Sequence, residues 1–265
     1  MDLFRLRRGD SPLLVSIPHA GTYLPPELRA RLTGKALELP DTDWHVDRLY
    51  DFLDDLGASA LVATHSRYVI DLNRPPDNAN LYPGQDTTAL VPIDTVARAD
   101  VYLPGEVPGE REVVARRAQY WQPYHDRLEQ ELQRIRAEHG YALLWDAHSI
   151  PSEVPRFFPG RLPDLNIGTN GGASCGAAME AVVFAAAGRA SGYTAVLNGR
   201  FKGGYITRHY GRPAERVHAI QLELSQRTYM NEPPPFEFRD DLAAKARPVL
   251  RAMLETYLRA ATGAA

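Results

Sequence analysis

Six short apolar runs punctuate this chain, separated by stretches in which apolar residues recur at helical spacing. Residues 13–17 (LLVSI) read as a buried strand stopped by Pro18, and residues 60–64 and 68–72 as two more. The run YALLW at 141–145 predicts a fourth strand that breaks off into Asp146, Ala147, His148 and Ser149. Residues 194–197 and 218–224 predict the last two. Between them, Val46, Leu49, Tyr50, Leu53 and Leu56 mark one face of a helix over 46–56, with Gly57 as its stop. Val114, Trp121, Tyr124, Leu128, Leu132 and Ile135 mark a long helix over 110–139, kinked or divided at Pro123 and ended by Gly140. Shorter helices are predicted at 27–32 and 177–188, and a packing helix at 240–260. Residues 77–110 carry Pro, Gly, Asp and Asn without periodicity and read as a long loop or lid. Residues 151–176 and the Gly- and Arg-rich stretch 198–211 also read as connections. Strands alternating with helices predict one α/β domain over 1–265 with a mostly parallel central sheet.

Bulk composition narrows the function classes. A net charge of −3 over 265 residues supplies no field for nucleic acid or an anionic membrane. No apolar run reaches the length of a membrane span, and the arginines and aspartates among the first residues interrupt any signal-like segment. One cysteine, Cys175, cannot form an internal disulfide and fits a reducing compartment. It lacks an evident activating partner and is not read as a nucleophile. These features predict a cytoplasmic monomer or small homo-oligomer without a nucleic-acid or membrane partner.

Ligands of open α/β sheets bind beyond the carboxyl ends of the strands, and here those ends carry polar chemistry. The first strand leads to His19, the third to Asp71, Asn73 and Arg74, the fourth to Asp146 and His148, and the last contains Glu223. Two imidazoles and a carboxylate suit Zn²⁺ or another divalent metal, with one position left for water. The acidic ligand can be Asp41, Asp43 or Asp47; Asp43, one turn before the helical periodicity begins, is preferred, and a plain helix cap is the competing role. Asp146 lies two residues before His148, on the same side of a continued strand, where it can orient the imidazole. Glu223 is either a general base or one of the polar residues on a solvated strand face shared with Gln221. Arg67, Arg74, Lys202 and Arg208 are the cations available to a carboxylate-bearing ligand. Tyr120, Trp121, Tyr124 and His125, at helical spacing, read as core packing. Neither a P-loop nor a dinucleotide fingerprint is present.

The segments SIPHAGTYLPPEL, DTDWHVDRLYDF, SRYVIDLNRPPD, YWQPYHDRL, LLWDAHSIPSEVPRFFPGRLPDLNIGT, VLNGRFKGGYITRHYG and HAIQLELSQRTYM run in order from about residue 12 to 232. Together they resemble the N-formylglutamate amidohydrolase family, part of a wider group similar to zinc carboxypeptidases and aspartoacylases. The resemblance implies a zinc-carboxypeptidase-like three-layer α/β/α sandwich around a mixed sheet. It also implies hydrolysis of the dicarboxylate N-formyl-L-glutamate, late in a route of histidine degradation. It places His19 and His148 on the metal, Asn73 and Arg74 on a substrate carboxylate, and Glu223 as general base. One departure stands out: the wider group has an acidic ligand three residues after the first histidine, and here that position is Thr22.

Overall fold

Every residue of the segments Leu13–Ile17 and Ala142–Ile150 is buried, so the sheet they build needs cover on both faces. The computed structural model, which describes residues 1–262, supplies it. Seven strands, β1 (Phe4–Arg7), β2 (Leu13–Ile17), β3 (Ser59–Ala63), β4 (Ala142–Ile150), β5 (Leu165–Gly168), β6 (Ala195–Leu197) and β7 (Val217–Ser225), lie in the order β1-β3-β2-β4-β7-β5-β6. The pairs β2/β3, β2/β4, β4/β7 and β5/β6 are parallel, while β1/β3 and β5/β7 are antiparallel. The helices are α1 (Pro26–Arg29), α2 (Gly34–Leu37), α3 (Val46–Leu49), α4 (Glu110–Arg116), α5 (Gln122–His139), α6 (Ala177–Gly188), α7 (Tyr205–Tyr210) and α8 (Asp240–Thr262). On one face, Val183 of α6 and Leu250, Met253, Leu254 and Tyr257 of α8 pack on Leu143, Trp145, Ile220 and Leu222. On the other, Tyr124, Leu128, Leu132 and Ile135 of α5 pack on Leu14, Leu61, Leu144 and Ala219. The result is the expected three-layer α/β/α sandwich around a mixed, mostly parallel sheet. Among the described residues no helix is long and apolar enough to cross a membrane.

Several elements differ from the sequence expectation. β4 does not break off at Trp145 but runs on through Asp146 and His148 to Ile150, paired with β7 throughout. The helix expected over 46–56 is split into α3 and a 3₁₀ turn at Leu53–Leu56. Tyr50 and Phe52 both turn inward, and residues two apart cannot share a helix face. β5 and α7 lie in stretches read as connections; they are four and six residues long, too short to show a period. β1 is an edge strand whose alternating arginines hide it. Residues 77–110 contain no helix before Glu110 and no strand, yet Leu90, Val91, Val101 and Tyr102 are buried in the α5 side of the core.

Residues 68–72 are not a strand. They turn, with Val69 N–H donating to Ser66 O at 2.9 Å, and the backbone carbonyls find side-chain partners instead of a neighbouring strand. Arg116 donates to the carbonyls of Tyr68 and Val69, His125 to Leu72, Trp121 to Arg74 and Arg117 to Pro76, at 2.9–3.3 Å. These donors come from one continuous helical stretch, α4 to α5. It passes through a π turn at Arg117–Trp121, where Gln122 N–H bonds Arg117 O immediately before the N–H-less Pro123. The aromatic row read as packing is therefore also the scaffold of the Asp71–Arg74 segment.

His125 makes this scaffold sensitive to acid. It is buried, its Nε2–H reaches Leu72 O, and its Nδ1 accepts from Tyr210 OH at 2.9 Å. Burial pushes its pKa down to about 3. The folded state thus holds it neutral while the unfolded chain takes up a proton below about 6.5, so stability falls as pH drops through that window. Metal-stripped protein is expected to lose roughly 2 kcal/mol through this group between pH 7 and 5. Denaturant unfolding of wild type and His125→Gln at both pH values checks this; equal pH losses in the two proteins would refute it.

Candidate active site

The parallel pair β4/β7 is registered so that Asp146 lies beside Gln221 and His148 beside Glu223. The strand period of two puts all four on one face of the sheet. On that face Leu144 and Ala219, one step earlier in each strand, still pack in the apolar layer under α5. The polar residues begin where the strands approach their carboxyl ends. Gln221 and Glu223 are buried, so the solvated strand face considered for them does not exist. His19 follows β2, and its carbonyl accepts from Asp43 N–H at 3.0 Å, bringing the residues ahead of α3 over the end of β4.

Three predicted ligands converge. One donor atom from each of His19, Asp43 and His148 lies within 4.8 Å of the other two, and all three residues are buried. Asp43 Oδ2 is 3.0 Å from His148 Nδ1 and 3.9 Å from His19 Nδ1, and it accepts Ser149 N–H at 3.1 Å. The far nitrogens are tied elsewhere. His19 Nε2 meets Asp71 Oδ1 at 2.7 Å, and His148 Nε2 meets Asp146 Oδ1 at 3.1 Å. A proton on His19 Nε2 leaves its Nδ1 lone pair directed at Asp43, the arrangement in which an outer carboxylate sets the tautomer of a metal-binding histidine. His148 Nε2 also lies 2.8 Å from Asn73 Nδ2, so Asn73 and Asp146 share that side of its ring. The other two acids considered do not join this group, although Asp41 lines the same cleft. Asp41 Oδ2 accepts Val96 N–H at 2.9 Å, and Asp47 is exposed and paired with Arg5.

Asp71, which the sequence reading placed at a strand end but gave no role, mirrors Asp146. Its Oδ1 also accepts Asn73 N–H at 2.8 Å and its Oδ2 accepts from Arg67 at 2.5 Å. Its place in the chain, two residues before Asn73, was the available signal. Asn73 is fixed by Ile206 N–H donating to its Oδ1 at 2.8 Å, and its Nδ2 donates to Asp146 Oδ2 at 3.3 Å. It therefore braces the His148–Asp146 pair while lining the cleft.

Electrostatics separate the titratable groups. Burial, assisted by Arg67, holds His19 below its ordinary pKa despite Asp71. Burial would also lower His148, but Asp146 and Asp43 outweigh it and raise the imidazole well above the usual range. Burial opposes ionisation of Asp71, yet Arg67 and His19 hold its carboxyl well below the usual range. Glu223 is pushed up to about 8 by burial, with Asp43 and Asp146 adding to the shift. It has no acidic or basic ion-pair partner among the described residues and only a 3.5 Å contact from Gln221 Nε2.

The cleft above these groups measures about 740 Å³, part of it open to solvent, and is lined by Arg67, Arg74 and Arg200 together with Tyr82, Phe157 and Phe201. Arg67 is engaged with Asp71 and Asp41 O. Arg74 donates to Thr88 Oγ1 at 3.1 Å; its Nε has no hydrogen-bond partner among the described residues and stands 3.9 Å from Asp71 Oδ2. Burial, with Arg67 and Arg200 repelling it, lowers its pKa. The other two predicted cations stay outside the lining: Lys202 is exposed, and Arg208 lies against the Tyr82 ring and donates to Gly203 O. Arg200, not singled out from the sequence, takes a place in the wall.

Comparison with known proteins follows the same lines. The model of the family described as N-formylglutamate amidohydrolase matches residues 11–230. A Pseudomonas aeruginosa protein named N-formylglutamate deformylase is 53% identical over 257 residues, covering 97% of this chain and 96% of its own. A Pseudomonas putida protein of the same name is 50% identical over 251 residues, covering 95% and 94%. The crystal structure of N-formylglutamate amidohydrolase from Ralstonia eutropha JMP134 superposes with a TM-score of 0.81 at 26% identity, covering 99% of this chain and 98% of its own.

Proposed function

Because this chain belongs to the N-formylglutamate amidohydrolase family, we infer that it hydrolyses N-formyl-L-glutamate to formate and L-glutamate, an activity that fits histidine degradation. The observation that carries the chemistry is the convergence of His19, Asp43 and His148 with Glu223 beside His148 in the strand register. Two imidazole nitrogens and one carboxylate oxygen, buried and backed by Asp71 and Asp146, form a donor set that fits Zn²⁺. A divalent metal held there would acidify water and polarise the formyl oxygen.

The chain's own groups do the rest. Glu223 takes a proton as water oxygen bonds to the formyl carbon, and returns it to the nitrogen as the carbon–nitrogen bond breaks. The guanidiniums of Arg67 and Arg74, in the lining of the same cleft, favour the negative charge that develops on the formyl oxygen. Arg74, with an unengaged Nε, binds the α-carboxylate. Asn73, Asp71 and Asp146 hold the histidines in place. The buried, unpaired Cys175 supports a reducing, cytoplasmic setting.

Formate release from N-formyl-L-glutamate by metal-stripped protein tests the reading. Activity is expected to vanish on stripping and to return with added Zn²⁺. Undiminished activity without metal would remove the metal from the reaction, and no release with any divalent ion would remove the activity.

A further inference from the structure

We propose that Arg200 binds the side-chain carboxylate of the substrate, so that Arg74 and Arg200 together set the spacing at which two carboxylates are accepted. The inference rests on the N-formylglutamate reading and adds the residue that distinguishes glutamate from an uncharged analogue of the same length.

Charge accounting in the cleft is the argument. Arg67 is neutralised by Asp71, and Arg156, behind the wall, by Asp86 and Asp94 at 3.0 Å each. Arg200 has no carboxylate within ion-pair distance among the described residues. Its Nε and Nη2 donate to the carbonyls of Phe157 and Asp86 at 2.8 and 3.2 Å, and no partner among those residues takes Nη1. The guanidinium is half-buried, with the rings of Tyr82, Phe157 and Phe201 at 5.3–5.4 Å. A guanidinium fixed by backbone carbonyls among aromatic rings keeps its shape but lacks a counter-charge, and a ligand carboxylate supplies one.

Position assigns the two cations to different carboxylates. Arg74 follows Asn73, which braces His148, and lies near Asp71, which orients His19; it is therefore close to the reacting centre. Arg200 belongs to the wall formed with Phe157 and the backbone of Asp86. In N-formylglutamate the α-carboxylate is one carbon from the amide nitrogen, and the side-chain carboxylate is two methylenes further out. With the formyl carbon at Glu223, the nearer carboxylate falls to Arg74 and the farther one to Arg200, and the aromatic rings flank the methylenes.

The test compares kcat/KM for N-formyl-L-glutamate and N-formyl-L-glutamine in wild type, Arg200→Gln and Arg200→Lys. The preference for the glutamate substrate is expected to fall about 10²-fold in Arg200→Gln, the cost of a lost charge-assisted contact, and by less in Arg200→Lys. Turnover of the glutamine substrate in the same preparations reports an intact reacting centre. Competitive inhibition by L-glutamate against L-glutamine repeats the comparison without a chemical step in the ligand. Wild-type turnover with an unmoved preference in both variants, or proportional loss of both substrates by variants that melt like wild type, overturns the role of Arg200 alone. Absence of formate release by wild type overturns the functional reading and this inference with it.

Discussion

Glu223→Gln is expected to lower kcat by about 10²–10⁴-fold, the usual contribution of a positioned general base, while leaving metal content unchanged. Glutamine keeps the volume and the contact with Gln221, so the packing of β7 survives, but the amide cannot take a proton from water. Nothing nearby substitutes for it. Asp43 is engaged with His148 and Ser149 N–H, Asp146 with His148, and Asp71 with His19 and Arg67. The raised pKa of Glu223, about 8 through burial and the neighbouring carboxylates, makes it a strong proton acceptor once ionised. A cation beside it favours that ionised form. The rise of wild-type activity with pH through the pKa of Glu223 should accordingly be missing from the variant. Steady-state kinetics with elemental analysis decide the matter: a kcat within a few-fold of wild type would exclude Glu223 as the base.

His148→Ala is expected to abolish high-affinity metal binding, and Asp71→Asn to weaken it about 10- to 100-fold, as loss of an outer carboxylate does. The difference follows from position. His148 offers Nδ1 beside Asp43, whereas Asp71 acts on the opposite nitrogen of His19. Removing the imidazole also strands Asp43 and Asp146 in the interior, so His148→Ala should be less stable by about 3 kcal/mol. Isothermal titration of Zn²⁺ into the stripped proteins, with Asp47→Ala as the surface control, measures both. Because Asp146 and Asp43 raise the pKa of His148, binding must displace its proton, and affinity should weaken as pH falls. Wild-type affinity in His148→Ala would exclude His148 as a ligand.

Much of this site is local in the sequence. His19, His148 and Glu223 each sit within or just beyond an apolar run, and a buried strand leaves few roles for such groups. Asp146 precedes His148 by the strand period, so its contact with that imidazole follows once β4 continues. Arginines are harder to place. Lys202 and Arg208 sit among glycines and aromatics as attractively as Arg200, but a long side chain can reach several angstroms in any direction. Its partner is set by packing: Arg208 lies over the Tyr82 ring and donates to Gly203 O, while the carbonyls of Phe157 and Asp86 hold Arg200 in the wall.

Periodicity and apolar content alone specified the α/β class, the long helical stretch disturbed near Pro123, and the strands that lead to His19, His148 and Glu223. Those features arise from backbone preference and from burying one face of each element, which neighbouring residues encode. Folding in three dimensions settled which of Asp41, Asp43 and Asp47 approaches the histidines, that residues 68–72 turn instead of pairing, and which cations enter the cleft. Each of these depends on partners far away in the chain. Asp43 meets His148 across 105 residues, and His125 caps the carbonyl of Leu72 across 53. No local pattern records such a meeting, because burying either partner costs free energy unless the other is brought to it, and the packing of distant elements decides which one arrives.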